Sequence, residues 1–178
     1  MFPILILAAA AAAAWLGWRI VRRSGRVPGI GEPAPEFALP DQAGVVRHSG
    51  EFRGRWLALY FYPRDDTPGC RRQAACFRDA HEALAEAGIT VCGVSLDDAA
   101  SHARFAAKYA LPYTLLADTQ GRVARQYGSL FDASFVRFAR RNTFLIDPAG
   151  RIAAVHKGVT PAASADQLLS DIERLAAR

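Results

Sequence analysis

The run Trp56-Leu57-Ala58-Leu59-Tyr60-Phe61-Tyr62 carries no charge, no glycine and no proline. It is too short for a membrane span and has the length of a strand buried on both faces. Such a strand needs packed layers above and below it, so this run already points to an α/β arrangement. The following residues agree. Residues 63–69 form a loop dense in breakers. Residues 70–87 read as a helix, with Ala74, Phe77, His81 and Leu84 at helical spacing and Gly88 as the stop. Residues 89–95 are a second buried strand. Residues 101–109 form a helix with Ser101 at its N-cap, 113–117 a short strand, and 122–127 a short helix ended by Gly128. Residues 142–146 and 151–156 are strands joined by the turn Asp147-Pro148-Ala149-Gly150. Residues 164–177 close the chain as an amphipathic helix with Leu168, Leu169, Ile172 and Leu175 inside. The alternation, with one terminal hairpin, predicts a three-layer α/β/α domain with a mixed central sheet over residues 36–178.

Ahead of this domain the sequence changes character. Residues 1–18, MFPILILAAAAAAAWLGW, hold no charged side chain. As a helix they reach roughly 27 Å, enough for a bilayer core. Trp15 and Trp18 stand where an interfacial aromatic belt would lie, and Arg19, Arg22, Arg23 and Arg26 follow. Residues 1–23 are therefore expected to be a single N-terminal transmembrane anchor. The positive-inside rule then places the domain on the cytoplasmic side of the inner membrane. The alternatives are a signal-like helix, cleaved to leave a periplasmic domain, and a misassigned start. Residues 24–35, SGRVPGIGEPAP, read as a linker.

The formal charge of +5 suggests nucleic acid at first sight. Most of the excess is that arginine cluster, and elsewhere bases alternate with acids. No basic stripe with interleaved aromatics is present, so nucleic acid is not an expected partner. Gly29-Ile30-Gly31 is not a phosphate loop, since no strand precedes it and no helix follows. His48, His81, His102 and His156 show no ligand spacing and read as surface or boundary residues. With no CxxC and no Cys/His cluster, neither a metal nor a cofactor is expected.

The cysteines are Cys70, Cys76 and Cys92, an odd number in a chain long enough to build a core, and so not a disulfide framework. Cys70 ends the loop Pro63-Arg64-Asp65-Asp66-Thr67-Pro68-Gly69, between a buried strand and a helix. Thr67 is a good N-cap and Pro68 suits the first helical position. Cys70 thus falls in the first turn, where unpaired N–H groups and the helix dipole stabilise a thiolate, the nucleophilic form. On position alone a buried, inert thiol is an equal reading. Thioredoxin-type disulfide exchange from the same place would need a cysteine at position 73, where Gln73 stands.

The segment LYFYPRDDTPGCRRQAACFRD resembles the active site of the peroxiredoxins of the AhpC/TSA family, in particular the bacterioferritin-comigratory, or PrxQ-type, group. The likeness runs from Pro28 to the C-terminus. It includes GEPAPEFALPDQAG, VSLDDAASHARFAAKYALPYTLLAD and RNTFLIDPAGRI. It implies a thioredoxin-like fold and a thiol peroxidase that reduces hydrogen peroxide and organic hydroperoxides, recycled by thioredoxin or a similar dithiol reductant. By the same resemblance Cys70 matches the peroxidatic cysteine, and Thr67 the threonine whose hydroxyl bonds thiolate and peroxide. Pro63 matches the proline that shields the pocket, and Arg141 the arginine beside the sulfur, with Arg140 as the fallback. Members that resolve within this helix carry the second cysteine five residues on, where Ala75 stands here. Cys76 is the expected resolving cysteine; Cys92 and a one-cysteine cycle with an external thiol are the alternatives. Phe131, Phe135 and Phe138 read as core or as a loop over the pocket, with a role in favouring bulky peroxides as a further reading. Competing functions are a membrane-tethered thiol–disulfide oxidoreductase and a non-catalytic redox sensor. A monomer is the expected state.

Overall fold

The computed structural model describes residues 25–133 and 135–177. The expected anchor at residues 1–23 lies outside them. Among the described residues no helix is long and apolar enough to cross a membrane. The elements are β1 (Ala38–Pro40), β2 (Val46–His48), β3 (Trp56–Phe61), α1 (Pro68–Asp79), α2 (His81–Glu86), β4 (Ile89–Ser95), α3 (Ala99–Tyr109), β5 (Thr114–Ala117), α4 (Arg122–Gln126), β6 (Leu130–Ala133), β7 (Val136–Ala139), β8 (Asn142–Ile146), β9 (Ile152–Lys157) and α5 (Ser164–Ala176).

Five strands form the central sheet in the order β5-β4-β3-β8-β9. β3 pairs in parallel with β4, and β4 with β5, whereas β8 runs antiparallel to both β3 and β9. The sheet is therefore mixed, as expected. The uncharged run lies at its centre. Leu57, Leu59 and Phe61 enter one core cluster, and Ala58, Tyr60 and Tyr62 the other. That is the period-2 alternation of a strand covered on both faces. Phe77 of α1, Leu84 of α2, Phe105 of α3 and Leu168 of α5 pack with Ala58, Tyr60 and Tyr62; Val123 and Ala124 of α4 and Leu130 of β6 pack with Leu57, Leu59 and Phe61. Fully buried Phe77 and Leu84 each contribute on the order of 2 kcal/mol by transfer from water.

The structure departs from the sequence expectations in four places. The helix over 70–87 is two helices broken at Ala80, whose φ of −93° and ψ of 8° leave the α region. Phe77 and Leu84, on either side of the break, belong to one core cluster. Asp98, not Ser101, caps α3: its carboxylate accepts the Ser101 N–H at 2.7 Å. Residues 130–139 form a hairpin in which Phe131 faces Phe138, their rings stacked at 4.7 Å, and Phe135 at the turn is 91% exposed. Finally, the proline- and glycine-rich stretch docks on the last hairpin. Gly31 N–H donates to the Ile152 carbonyl at 2.7 Å, and Ala34 N–H to that of Gly150 at 3.0 Å.

Candidate active site

β3 ends at the carboxyl edge of the sheet, a common location for sites in α/β domains. The chain crosses there in a short loop and enters α1. Thr67 is extended (φ −79°, ψ 152°) and Pro68 takes the first helical position, as the local sequence demands. Cys70 is thus the third residue of α1 and is 2% exposed. Its sulfur lies beside the positive end of the helix.

Arg141 precedes β8, 71 residues away in sequence, and its Nη2 donates to Cys70 Sγ at 3.3 Å. Its Nη1 donates to Gln73 Oε1 at 2.6 Å. Gln73 Nε2 in turn donates to Ser164 Oγ at the start of α5 at 3.0 Å, and the Ser164 hydroxyl reaches the Thr160 carbonyl at 3.4 Å. The guanidinium is held by a polar chain running from α1 to α5. Gly69 makes room for it: a Cβ there would stand 3.0 Å from Arg141 Nη2. A fixed guanidinium beside a helix N-terminus is an anion-stabilising arrangement, and its planar fork holds two acceptors at once.

The structure brings Cys70 and Arg141 together. Arg140, the fallback, instead lies over the Phe131 ring at 5.7 Å. Thr67 donates its hydroxyl proton to the Arg64 carbonyl at 3.1 Å, and Pro63 is half-buried after Tyr62. Cys76 is half-buried, six residues further along α1, with its thiol aimed at the Ala162 carbonyl at 3.4 Å. Cys92 is enclosed in β4, and burial pushes its thiol up to about 12, so it stays neutral and unreactive at physiological pH.

Sequence reasoning missed two sets of residues. Gln73 entered only as the absence of a cysteine, yet it is fully buried and holds Arg141. Its spacing of one turn from Cys70 was the available signal. His102 is not a surface residue: it is completely buried, with Nδ1 2.9 Å from Asp65 Oδ2. Burial opposes ionisation of Asp65, but donors from His102, Ser101 and Tyr62 outweigh it and hold the carboxyl below its ordinary value. Among the described residues no group of three or more His, Cys, Asp and Glu could hold a metal ion.

Residues 30–155 match the AhpC/TSA family. The chain is 43% identical over 132 residues to the putative peroxiredoxin Bcp of Coxiella burnetii, covering 71% of this chain and 86% of that protein. It is 43% identical over 126 residues to the chloroplastic peroxiredoxin Q of Oryza sativa subsp. japonica, covering 71% of this chain and 58% of the relative's length. Among solved structures it is similar to the peroxidoxin BcpB of Mycobacterium tuberculosis, with a TM-score of 0.79 at 32% identity, covering 83% and 98% of the two chains. It is also similar to the bacterioferritin comigratory protein of Xanthomonas campestris, a structure concerned with alkyl peroxide reduction, with a TM-score of 0.74 at 28% identity over 79% and 92%. These likenesses agree with the thioredoxin-like fold expected from the sequence.

Proposed function

The chain belongs to the AhpC/TSA family, and from that premise we propose that Cys70 is its peroxidatic nucleophile and Arg141 the residue that stabilises the reacting charge. The protein is a peroxiredoxin of the Bcp, or Q, group: a thiol peroxidase that reduces peroxides at the expense of a thiol donor. The observation that carries the residue assignment is the 3.3 Å contact between Arg141 Nη2 and Cys70 Sγ at the start of α1.

In the proposed reaction the Cys70 thiolate attacks the terminal peroxide oxygen. An S–O bond forms as the O–O bond breaks, and the departing oxygen takes a proton to leave as water or an alcohol. Cys70 becomes a sulfenic acid. Arg141 and the first-turn N–H groups face the developing negative charge. Thr67 would orient the peroxide once its hydroxyl turns from the Arg64 carbonyl, and Pro63 would cover the loop side. Hydrogen peroxide and alkyl hydroperoxides are the proposed substrates.

For the return half-cycle the proposal is that Cys76 attacks the sulfenic sulfur, forming a disulfide and releasing water. A dithiol such as thioredoxin then reduces it. On intact α1 the two residues are about 9 Å apart along the axis, beyond disulfide reach, so the first turns must unwind. Mass spectrometry of peroxide-treated, non-reduced protein tests this: a Cys70–Cys76 link is expected, and Cys70 sulfenic acid without it rejects the two-cysteine cycle. Peroxide consumption with thioredoxin, comparing wild type with Cys70→Ser and Cys76→Ser, tests the function.

The uncharged residues 1–18 and the arginines after them support a further reading, a cytoplasmic-membrane anchor with the domain facing the cytoplasm. Activity of a periplasm-only reporter fused at the C-terminus would reject that orientation.

A further inference from the structure

The loop that delivers Cys70 is tied down by two consecutive carboxylates. Asp65 Oδ1 accepts the Tyr62 hydroxyl at 2.7 Å, and its Oδ2 accepts the Ser101 hydroxyl at 2.7 Å and faces His102 Nδ1 at 2.9 Å. The Asp65 N–H donates to Asp97 Oδ2 at 2.9 Å. Asp66 has a φ of 56°, an uncommon conformation for a residue other than glycine. It turns its carboxylate toward Lys108 Nζ at 2.6 Å and the Tyr109 hydroxyl at 2.5 Å. Both side chains therefore fasten the loop to α3, at opposite ends of that helix.

The inner fastening is unusual in its chemistry. His102 is completely buried, and its second nitrogen, Nε2, lies 3.2 Å from the Leu116 carbonyl of β5. Both ring nitrogens thus face acceptors. The Tyr62 proton is already committed to Asp65, so it does not serve Nδ1. A proton on Nδ1 serves the contact with Asp65. Buried polar groups facing unmatched partners are costly, so the arrangement is tightly specified.

We propose that the Asp65–His102 pair is the positioning element of the peroxide site. It locks the residue 63–67 loop to β5 through α3 and so sets where Thr67 and the first turn of α1 stand relative to an incoming peroxide. The proposal rests on the reading of Cys70 as the attacking thiol. It adds a role for a histidine that does not touch the reacting atoms.

The test compares two reactions of Cys70 in the full-length protein. Alkylation by iodoacetamide needs an accessible thiolate, whereas oxidation by hydrogen peroxide also needs the loop in place. His102→Leu is expected to slow single-turnover peroxide oxidation by about tenfold or more while changing alkylation by less than about threefold. Equal peroxide rates in a folded variant, or equal losses in both reactions, would overturn the positioning role. If His102→Leu does not fold, Asp65→Asn, nearly identical in size, carries the same comparison with the same expected split. A third readout is direct: nitrogen-15 spectra of the wild type should show a proton on His102 Nδ1, and an unprotonated Nδ1 would reject the paired arrangement. Retained peroxidase activity in Cys70→Ser would instead reject the underlying assignment, whatever the His102 variants do.

Discussion

Cys70 and Cys92 lie in different core clusters, on the two faces of the central sheet. Cys70 sits in the first turn of the helix that leaves β3, and Cys92 in the middle of β4, in register with Leu59 of β3. Their exposures are nearly the same, 2% and 0%. Their surroundings are not. Cys92 is packed among Leu57, Val94, Leu116 and Phe144 in an apolar cluster, and loss of hydration pushes its thiol up to about 12. Cys70 has lost water as well, but it sits in the first turn of a helix with a guanidinium 3.3 Å from its sulfur. Burial by itself makes a cysteine inert. Burial next to fixed positive groups strengthens their hold on an anion, because the medium screens them less.

The sharpest way to break this comparison is to remove each sulfur in turn. Cys70→Ser should lower peroxide consumption by about a thousandfold or more, to background. Cys92→Ser should leave the rate per folded molecule unchanged and lower the unfolding free energy by about 1–3 kcal/mol in urea titration, because it buries a hydroxyl with no prepared partner. A comparable loss of activity in both would end the distinction.

Next in size is the guanidinium. Arg141→Met should cost about 10²–10³-fold in single-turnover peroxide oxidation, as removal of a preorganised donor does elsewhere. Arg140→Met, which removes a side chain stacked on Phe131, serves as the control and should change it less than about threefold. The polar chain behind Arg141 comes third. Gln73→Leu leaves Arg141 charged but untethered, and should slow the same step by about tenfold with far-ultraviolet circular dichroism unchanged.

The smallest effect concerns acid. Asp41, Asp65 and Asp66 all titrate below their ordinary value of 3.8 in the folded chain, where burial is outweighed by donors for the first two and Lys108 is the leading donor for the third. A carboxylate depressed on folding contributes stability that is complete above its unfolded value and is lost as pH falls through the lower folded one. Unfolding free energy should therefore be flat in these groups above pH of about 5 and decline below pH of about 4. Asp65→Asn should make that decline shallower in denaturant titrations. An unchanged acid slope would mean that Asp65 does not ionise differently in the two states.

Much of the local structure was legible along the chain. The central strand, the breaker loop, Thr67 and Pro68 at the head of α1, the stop at Gly88 and the last hairpin all depend on neighbours within a turn or two. Such preferences act before any tertiary contact forms. The β6–β7 hairpin was not legible, because Ala133-Ser134-Phe135 contains none of the glycine, proline or asparagine that marks a turn. The bend at Ala80 also lacks a local marker and follows from packing.

The sequence by itself determined that a cysteine would stand at the head of a helix on an α/β sheet, and, by resemblance, which chemistry that cysteine performs. It could not determine what surrounds the sulfur. Arg141 was suggested by the likeness of RNTFLID and by nothing in its spacing. Its contact with Cys70 spans 71 residues, its hold on Gln73 spans 68, and the His102–Asp65 pair spans 37. Contacts at such separations arise only when the sheet brings β3, β5 and β8 together and the helices close over them. The same closure separates a cysteine beside a guanidinium from one enclosed in hydrocarbon.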